Sequence, residues 1–346
     1  MVKARKYIVT KRFEGTPKKS DFKIVTSNLP KLKDQEILVK AEWISVDPYM
    51  RPFTFTYDLP YDQFGYQVGI VQESKNNNYP VGTRVVSHNG WCDYCIMKPD
   101  LVIRSYQHGI PHKVAYKLPD ELEGLSASLG VGAVGFTGAA AYFGFYEVCK
   151  PSLFGRIVVT TAAGAVGSIV GQIAKIKGWV VIGFTGSQAK VNWLKNELGF
   201  DFAFNYKTED VAKVLKDAAP YGIDCLFDNV GGELSYTIMK HIKIQGCVVI
   251  CGCISAQNQS QANKAFRPHV IQRIILTRQL RVEGFLAFQW INRWPVAFAE
   301  LAKWIKSGKI KTREHITFGF DNIVKAFLGM LNGENIGKAM VWVYNK

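Results

Sequence analysis

Two glycine patterns in the sequence have the spacing of a turn that cradles phosphate. Gly130-Val131-Gly132-Ala133-Val134-Gly135 is a literal GxGxxG, and Ala162-Ala163-Gly164-Ala165-Val166-Gly167 is the same pattern with Ala in first place. Spacing alone is weak, so context decides. The first pattern follows LEGLSASL, which reads as helix. The second directly follows the apolar run Ile157–Thr161 and opens a segment with Val166, Ile169, Val170, Ile173 and Ile176 on one side. At a strand-to-helix turn the main chain can approach a pyrophosphate, and free helix N–H groups face the anion. Gly164, Ala165, Val166 and Gly167 are therefore assigned to a dinucleotide pyrophosphate. The first pattern is expected to be a packing segment of small residues.

The next apolar run ends in Gly183-Phe184-Thr185-Gly186-Ser187-Gln188-Ala189-Lys190. An NAD site would place Asp or Glu there to bond the ribose hydroxyls. No acid is present, whereas hydroxyls and Lys190 suit a 2′-phosphate. The expected cofactor is NADPH.

Metal chemistry finds little support. Seven cysteines are an odd number, and the Cys92/Cys95 CxxC has no second pair to complete a zinc knuckle. Within VVSHNGWCDYCIM, which reads as strand, they are expected to be ordinary half-buried thiols. His108 and His112 are separated by Pro111, which breaks the helix that would put them on one face. The formal charge of +15 favours anionic partners. Its basic residues are scattered and no aromatic-interleaved basic motif occurs, so phosphorylated small molecules are favoured over nucleic acid.

These residues need a scaffold, and 346 residues suggest about two domains. The first ~125 residues read as mainly β, with apolar runs Lys6–Val9, Ile37–Ala41, Gln67–Val71 and Thr83–Ser87 split by turn residues. From Arg156 to Phe288 strands and helices alternate, which predicts an α/β doubly wound parallel sheet. Its strands are Ile157–Thr161, Trp179–Thr185, Phe202–Asn205, Ile223–Asp228, Cys247–Gly252 and Val282–Phe288. A helix after Phe202–Asn205 is expected to be capped by Thr208. The tail, with a last strand Ala339–Val343, is expected to return to the first domain. The expected division is 1–125 completed by 314–346, and 126–313. Gly124–Tyr146 is uncharged, but its small residues point to close packing rather than a membrane span. No apolar signal core or sorting signal is visible, so a cytoplasmic location is expected.

With these residues in place, the sequence resembles the zinc-independent medium-chain dehydrogenase/reductases, in the prostaglandin reductase / leukotriene 12-hydroxydehydrogenase / alkenal reductase branch. The matching segments are SVDPYMR (Ser45–Arg51), AAGAVGSIVGQIAKIKG (Ala162–Gly178), FNYKT (Phe204–Thr208), FDNVGGE (Phe227–Glu233), CGCIS (Cys251–Ser255), VEGF (Val282–Phe285) and NIGKAMV (Asn335–Val341). The resemblance implies a mainly β GroES-like domain, built from both termini, beside a Rossmann domain, and a homodimer. It implies that Lys190 and Tyr206 hold the 2′-phosphate. Asn229 would contact the cofactor. Cys251–Gln257 (including Gly252, Cys253, Ile254 and Ser255) and Phe285–Ile291 (including Leu286 and Ala287) would line the nicotinamide end, and Asn335 would close over it. Zinc alcohol dehydrogenases carry Gly-His-Glu and a ligand Cys where this chain has Gly65-Tyr66-Gln67 and Ser45-Val46-Asp47.

The implied reaction is reduction of a carbon–carbon double bond conjugated with a ketone or aldehyde, with hydroxyls meeting the charge that grows on the carbonyl. Relatives carry a tyrosine eight residues before the Phe of VEGF, and here that position is Thr277. Thr277 and Tyr49 are the candidate catalytic hydroxyls, and Tyr49 and Trp91 the candidate substrate-pocket residues. Two other functions remain open: an NADPH:quinone reductase, and an NADPH-regulated module that binds RNA or a membrane protein.

Overall fold

The computed structural model describes residues 2–104, 109–257 and 270–343. The chain forms two compact units. Unit 1 comprises Met1–Phe136, Ile291–Ala299 and Glu314–Lys346; unit 2 comprises Thr137–Trp290 and Glu300–Arg313.

Unit 1 begins with strands β1 (Lys3–Val9), β2 (Phe22–Asn28), β3 (Ile37–Ser45), β4 (Tyr61–Asp62), β5 (Gln67–Ser74), β6 (Arg84–Ser87), β7 (Tyr94–Met97), β8 (Val102–Arg104), β9 (Pro111–Lys113) and β10 (Ala115–Lys117). Unit 2 contributes β11 (Arg156–Thr160), β12 (Val180–Thr185), β13 (Phe202–Asn205), β14 (Ile223–Asp228), β15 (Ile242–Ile250) and β16 (Arg281–Gly284). The chain then returns to unit 1 through β17 (Glu314–Phe318) and β18 (Lys338–Trp342).

In unit 1, β2-β1-β4 make a small sheet, and β10-β6-β5-β3-β18-β17 make a larger one in which β7 also pairs with β3. The returning tail enters as β18, antiparallel to the end of β3 with Met340 opposite Ser45. The core includes Tyr7, Val9, Phe22, Ile44, Met50, Trp91, Phe327 and Val341. Trp91 is only 1% exposed. Its ring packs on Phe22 and Phe327 at 5.7 and 5.5 Å, and its Nε1–H donates to the Ser45 carbonyl at 3.3 Å. The side chain anticipated in a substrate pocket is thus enclosed in the core.

In unit 2 the sheet order is β13-β12-β11-β14-β15-β16, and every pairing is parallel. Counted from β11 this is 3-2-1-4-5-6, the dinucleotide-binding order. The helices are α1 (Phe136–Phe143), α2 (Gly167–Ile176), α3 (Gln188–Asn196), α4 (Val211–Ala218), α5 (Gly232–Met239), α6 (Ile254–Gln257) and α7 (Gln272–Arg278); α8 (Trp294–Lys306) and α9 (Ile323–Leu331) follow. The sheet core includes Val158, Ile182, Phe184, Leu226, Ile238 and Val248.

Local expectations fail in four places. LEGLSASL forms two short 3-10 turns, Asp120–Leu122 and Ala127–Val131, not a helix, since Gly124 at φ +79° breaks the run. Helix α4 starts at Val211, so Asp210 and not Thr208 is its cap: the Asp210 carboxylate accepts the Lys213 amide at 3.1 Å. Strand β15 begins five residues early, at Ile242, across a register shift. Strand β16 stops at Gly284, and Ala287–Arg293 turns into 3-10 geometry. Gly130 and Gly135 of the decoy pattern are close-packed: a Cβ on Gly130 would stand 2.5 Å from Leu118 Cδ1. Among the described residues no helix is long and apolar enough to cross a membrane.

A buried ion pair joins the tail to the end of β3. Lys338 Nζ lies 3.1 Å from Asp47 Oδ1 and donates to the carbonyls of Val46 at 3.0 Å and Ala339 at 2.7 Å. The Ser45 hydroxyl donates to the other Asp47 oxygen. Removing one partner strands a charge in a dry site, a loss of about 3–5 kcal/mol. Lys338→Met is therefore expected to lower unfolding free energy by about that amount. The double variant Asp47→Leu/Lys338→Met should lose less than the sum of the two single changes. Urea unfolding of all three checks this, and full additivity would contradict it.

Candidate functional site

Strand β11 runs into a tight turn whose Thr161 sits at φ +49°. The Gly164 amide donates back to the Thr161 carbonyl at 2.9 Å. A Cβ on Gly167 would stand 2.5 Å from that carbonyl oxygen and 3.0 Å from Ala162 Cα. The turn therefore closes only with glycine at the start of α2. The amides of Ala165, Val166 and Gly167 belong to a helix's first turn, where no internal acceptor exists. They meet no acceptor among the described residues. This is a built cradle for an anion, and the macrodipole of α2 favours negative charge there.

The switch point between β11 and β14 is organised by Asp228, which is buried at 4% exposure. The Thr160 hydroxyl donates to Asp228 Oδ1 at 2.8 Å, and the amides of Val230 and Gly231 donate to the same carboxylate at 3.0 and 3.1 Å. The Asn229 amide group donates to the Thr160 carbonyl at 2.8 Å, so its side chain is fixed across the switch point. Amides of Cys251 and Gly252 donate to the Asp228 carbonyl, which draws the β15 exit against β14. Ser255 donates from its hydroxyl to the Val230 carbonyl at 2.6 Å. Gly231 and Gly232 lie at φ +71° and +65°, and a Cβ on Gly232 would crowd Ser255 Oγ at 2.9 Å. Asn229, Cys251, Gly252, Cys253, Ile254 and Ser255 are thereby gathered at one end of the sheet. Cys253 is exposed, whereas burial and then Asp228 push the Cys251 thiol up to about 12.

Phe285 follows β16, packing on Phe227 at 6.3 Å and on Trp290 at 5.7 Å. Ala287 is buried and Leu286 more open. Thr277 lies exposed on α7, where its hydroxyl donates to the Arg273 carbonyl of its own helix at 2.8 Å.

Beyond β12, Ser187 caps α3 by accepting the Lys190 amide. Gly186 is the meeting point: a Cβ there would lie 3.3 Å from Lys207 Cε and 3.4 Å from the Tyr206 hydroxyl. Burial, then the like charge of Lys207, lowers the Lys190 pKa. Lys190 and Lys207 therefore share a neighbourhood that an anion would relieve. Lys207 escaped the sequence reading, although FNYKT contains it.

Unit 1 holds Tyr49, Trp91 and Asn335. Asn335 donates to the Gly337 carbonyl at 2.7 Å, shaping the turn before Lys338. Tyr49 belongs to an aromatic group with Phe64 at 6.0 Å and Phe136 at 5.4 Å, extended by Tyr66 and Trp294. Its hydroxyl lies 3.5 Å from His88 Nε2. Burial, and next the Asp47 carboxylate, raises the Tyr49 pKa well above the phenol range, so the phenol stays protonated. Desolvation by Phe64, Tyr66 and their neighbours lowers the His88 pKa to about 4, against the pull of Asp47. His88 as a residue is exposed, its ring lying 5.9 Å from Phe64 and 4.8 Å from Tyr66. The sequence reading missed His88; no spacing links it to Tyr49, and only the fold brings them together. His108 lies outside the described residues, as do the side chains at the end of Cys251–Gln257. Among the described residues no three His, Cys, Asp or Glu side chains cluster as a metal site.

Two family descriptions match the chain: the N-terminal domain of oxidoreductase over residues 5–104, and zinc-binding dehydrogenase over residues 165–304. Prostaglandin reductase 1 of Bos taurus is 42% identical, covering 99% of both chains. The 2-alkenal reductase (NADP(+)-dependent) of Nicotiana tabacum is 34% identical, covering 98% of each. The crystal structure of CurA in complex with NADPH from Vibrio vulnificus superposes with a TM-score of 0.86 at 29% identity, covering 99% of this chain and all of that one. This chain belongs to the medium-chain dehydrogenase/reductase family, among the relatives of the prostaglandin and 2-alkenal reductases.

Proposed function

We propose that this protein is an NADPH-dependent reductase of the carbon–carbon double bond in α,β-unsaturated ketones and aldehydes. The carrying observation is the acid-free end of β12, where Lys207 and Tyr206 stand against Gly186 and Lys207 in turn acts on Lys190. That cluster suits a 2′-phosphate and lacks the carboxylate an NAD site needs. The chain-long likeness to prostaglandin reductase 1 supports the substrate class.

Gly164, Ala165, Val166 and Gly167 would hold the pyrophosphate. Asn229, Cys251–Ser255 and Phe285–Ala287 would meet the nicotinamide end, and the resemblance adds Asn335 as a further cofactor contact. When bound, NADPH supplies the hydride for the β-carbon of the substrate. The chain's task is to orient substrate, exclude water and meet negative charge on the carbonyl oxygen. Tyr49 suits the last role, because a phenol kept protonated can donate to an oxyanion. Such a donor contributes on the order of 10²–10³ in rate. Thr277 is the weaker candidate, since its hydroxyl already donates within α7. Neutral His88 leaves one ring nitrogen as acceptor and one as donor, and so positions the Tyr49 hydroxyl. Lipid-derived enones, a homodimer and a cytoplasmic location complete the proposal, on the pattern of the resemblance.

NADPH oxidation should be fastest with enones and alkenals, and product mass spectra should show a saturated bond beside an intact carbonyl. A reduced carbonyl beside an intact double bond would sink this reading, and faster turnover of a quinone would replace it. Lys190→Ala and Lys207→Ala should each weaken NADPH binding about tenfold, the loss of one charge-assisted contact of roughly 1.4 kcal/mol, and leave NADH binding nearly unchanged. Calorimetry with both coenzymes decides, and equal losses would remove the lysines from the phosphate site.

His88 gives a pH prediction. Its folded pKa, about 4, lies below the ordinary 6.5, so the unfolded chain takes up this proton first. Its contribution to stability is present above pH 6.5 and is lost as pH falls toward 4. An NMR titration should place the His88 midpoint well below 6.5; a midpoint at or above that value refutes the assignment.

A further inference from the structure

Cys92 and Cys95 serve neither the cofactor nor the substrate group, yet their surroundings are built. Three residues of extended chain span roughly 10 Å, too far for two thiols to meet. Here the chain bends at Asp93, and both sulfurs close on one residue, Cys92 Sγ on the Asn89 carbonyl at 3.4 Å and Cys95 Sγ on the Asn89 side-chain amide at 2.9 Å. The bend is pinned on both sides. Asp93 is 3% exposed; it accepts the Arg5 amide at 2.7 Å and Arg5 Nε at 2.8 Å, and its own amide donates to the Arg5 carbonyl at 3.0 Å. The Asp93 carbonyl accepts the Ala41 amide at 2.8 Å.

Each sulfur also meets a side-chain amide donor. Gln67 Nε2 donates to Cys92 Sγ at 3.3 Å, and Asn89 Nδ2 donates to Cys95 Sγ at 2.9 Å. Such donors stabilise a thiolate more than a thiol. The Cys92 thiol in turn donates to the Asn89 carbonyl at 3.4 Å.

We propose that Cys92 and Cys95 form a redox modification site, a dithiol that closes reversibly to a disulfide when a hydroperoxide oxidises Cys92. The hydrogen bond from Cys95 and then the Gln67 amide pull the Cys92 pKa below its ordinary value against desolvation, and the same pairing pushes Cys95 up. Within the proposal Cys92, whose sulfur takes the Gln67 amide at 3.3 Å, is the nucleophile and Cys95 the resolving thiol. The Cys92 thiolate attacks the peroxide oxygen, the O–O bond breaks, and hydroxide (or alkoxide) leaves. Cys92 is then a sulfenic acid. The Cys95 sulfur attacks Cys92 Sγ, the S–O bond breaks, and water departs with the Cys95 proton. Two thiols are oxidised and one peroxide is reduced to two hydroxyl-bearing products. A dithiol reductant restores the pair by exchange.

Closure has a local consequence. The disulfide has no thiol proton for the Asn89 carbonyl and no thiolate for the Asn89 amide group. Asn89 precedes Gly90 and Trp91, whose amides donate to the Gly65 and Gln63 carbonyls at 2.9 Å each. Oxidation therefore loosens the segment between His88 and Cys92. None of this requires the reductase reading.

The test uses the full chain. The reduced protein is exposed to hydrogen peroxide, alkylated and mapped as peptides, with hydrogen exchange followed in parallel. The peptide carrying both cysteines should lose two hydrogens and regain them with dithiothreitol. Amide exchange at Gly90 and Trp91 should speed up at least several-fold in the oxidised form. In Cys95→Ser the disulfide cannot close, and a sulfenic-acid probe should label Cys92 at least tenfold more than it labels the wild type. Alkylation of both thiols after peroxide, Cys92 passing to a sulfinic acid in the wild type, or unchanged exchange on closure would each overturn the proposal. A failure of enone turnover would touch only the proposed reductase function, because no readout here depends on it.

Discussion

The returning tail is held by one charge pair, Asp47 with Lys338, and much of unit 1 depends on it. An ammonium group has three N–H bonds to satisfy once water is gone. Lys338 satisfies them with a carboxylate and two main-chain carbonyls. These acceptors lie on the loop after β3 and on β18, so the pair fixes the register of the last strand against that loop. Hydrophobic residues of equal volume could fill the space, but they would not dictate which carbonyls face inward. The position of Tyr49, two residues beyond Asp47, follows from that constraint.

The same device recurs. Asp93 folds the CxxC segment back on β1, and Asp228 gathers the amides that follow β14. In each case a buried aspartate gathers several donors: Lys338 and the Ser45 hydroxyl at Asp47, the Arg5 amide and guanidinium at Asp93, and the Thr160 hydroxyl with the Val230 and Gly231 amides at Asp228. A carboxylate offers about four acceptor sites, twice as many as a hydroxyl or an amide oxygen. Unsatisfied amides would otherwise remain at these bends, each costing about 1–3 kcal/mol. The proposed sites lie beside these reversals, where strand ends leave backbone groups available for a ligand.

Much of unit 2 was legible because its signals are local. Phe202–Asn205 and Ile223–Asp228 match the observed strands residue for residue, since buried parallel strands read as short apolar runs. The strand-to-helix context expected of Ala162–Gly167 is what the structure has, between β11 and α2, whereas Gly130 and Gly135 are close-packed. What escaped the sequence depends on distant partners. Asp228 looks like an ordinary acid until Thr160, across the switch point, donates to it. Lys207 gains meaning only beside Gly186, and His88 only beside Tyr49. Trp91 misled in the other direction: it was expected to line a substrate pocket with Tyr49, but long-range packing from β2 and α9 enclosed it. β16 ended early because Gly284 and the turn at Ala287–Arg293 outweighed the apolar run.

The thiols separate into two environments, and the division has a chemical logic. A protein proposed to handle conjugated carbonyls works beside compounds that alkylate thiolates. At the switch point, Cys251 is held protonated by burial and by the negative charge of Asp228. Cys92, pulled below the ordinary thiol range, is instead enclosed in unit 1 at 7% exposure. A bulky enone cannot reach a sulfur so enclosed, whereas a peroxide is little larger than water. Electrostatics therefore protects one thiol and size the other. The two protections are independent, because Asp228 belongs to the Rossmann sheet and Cys92 to unit 1.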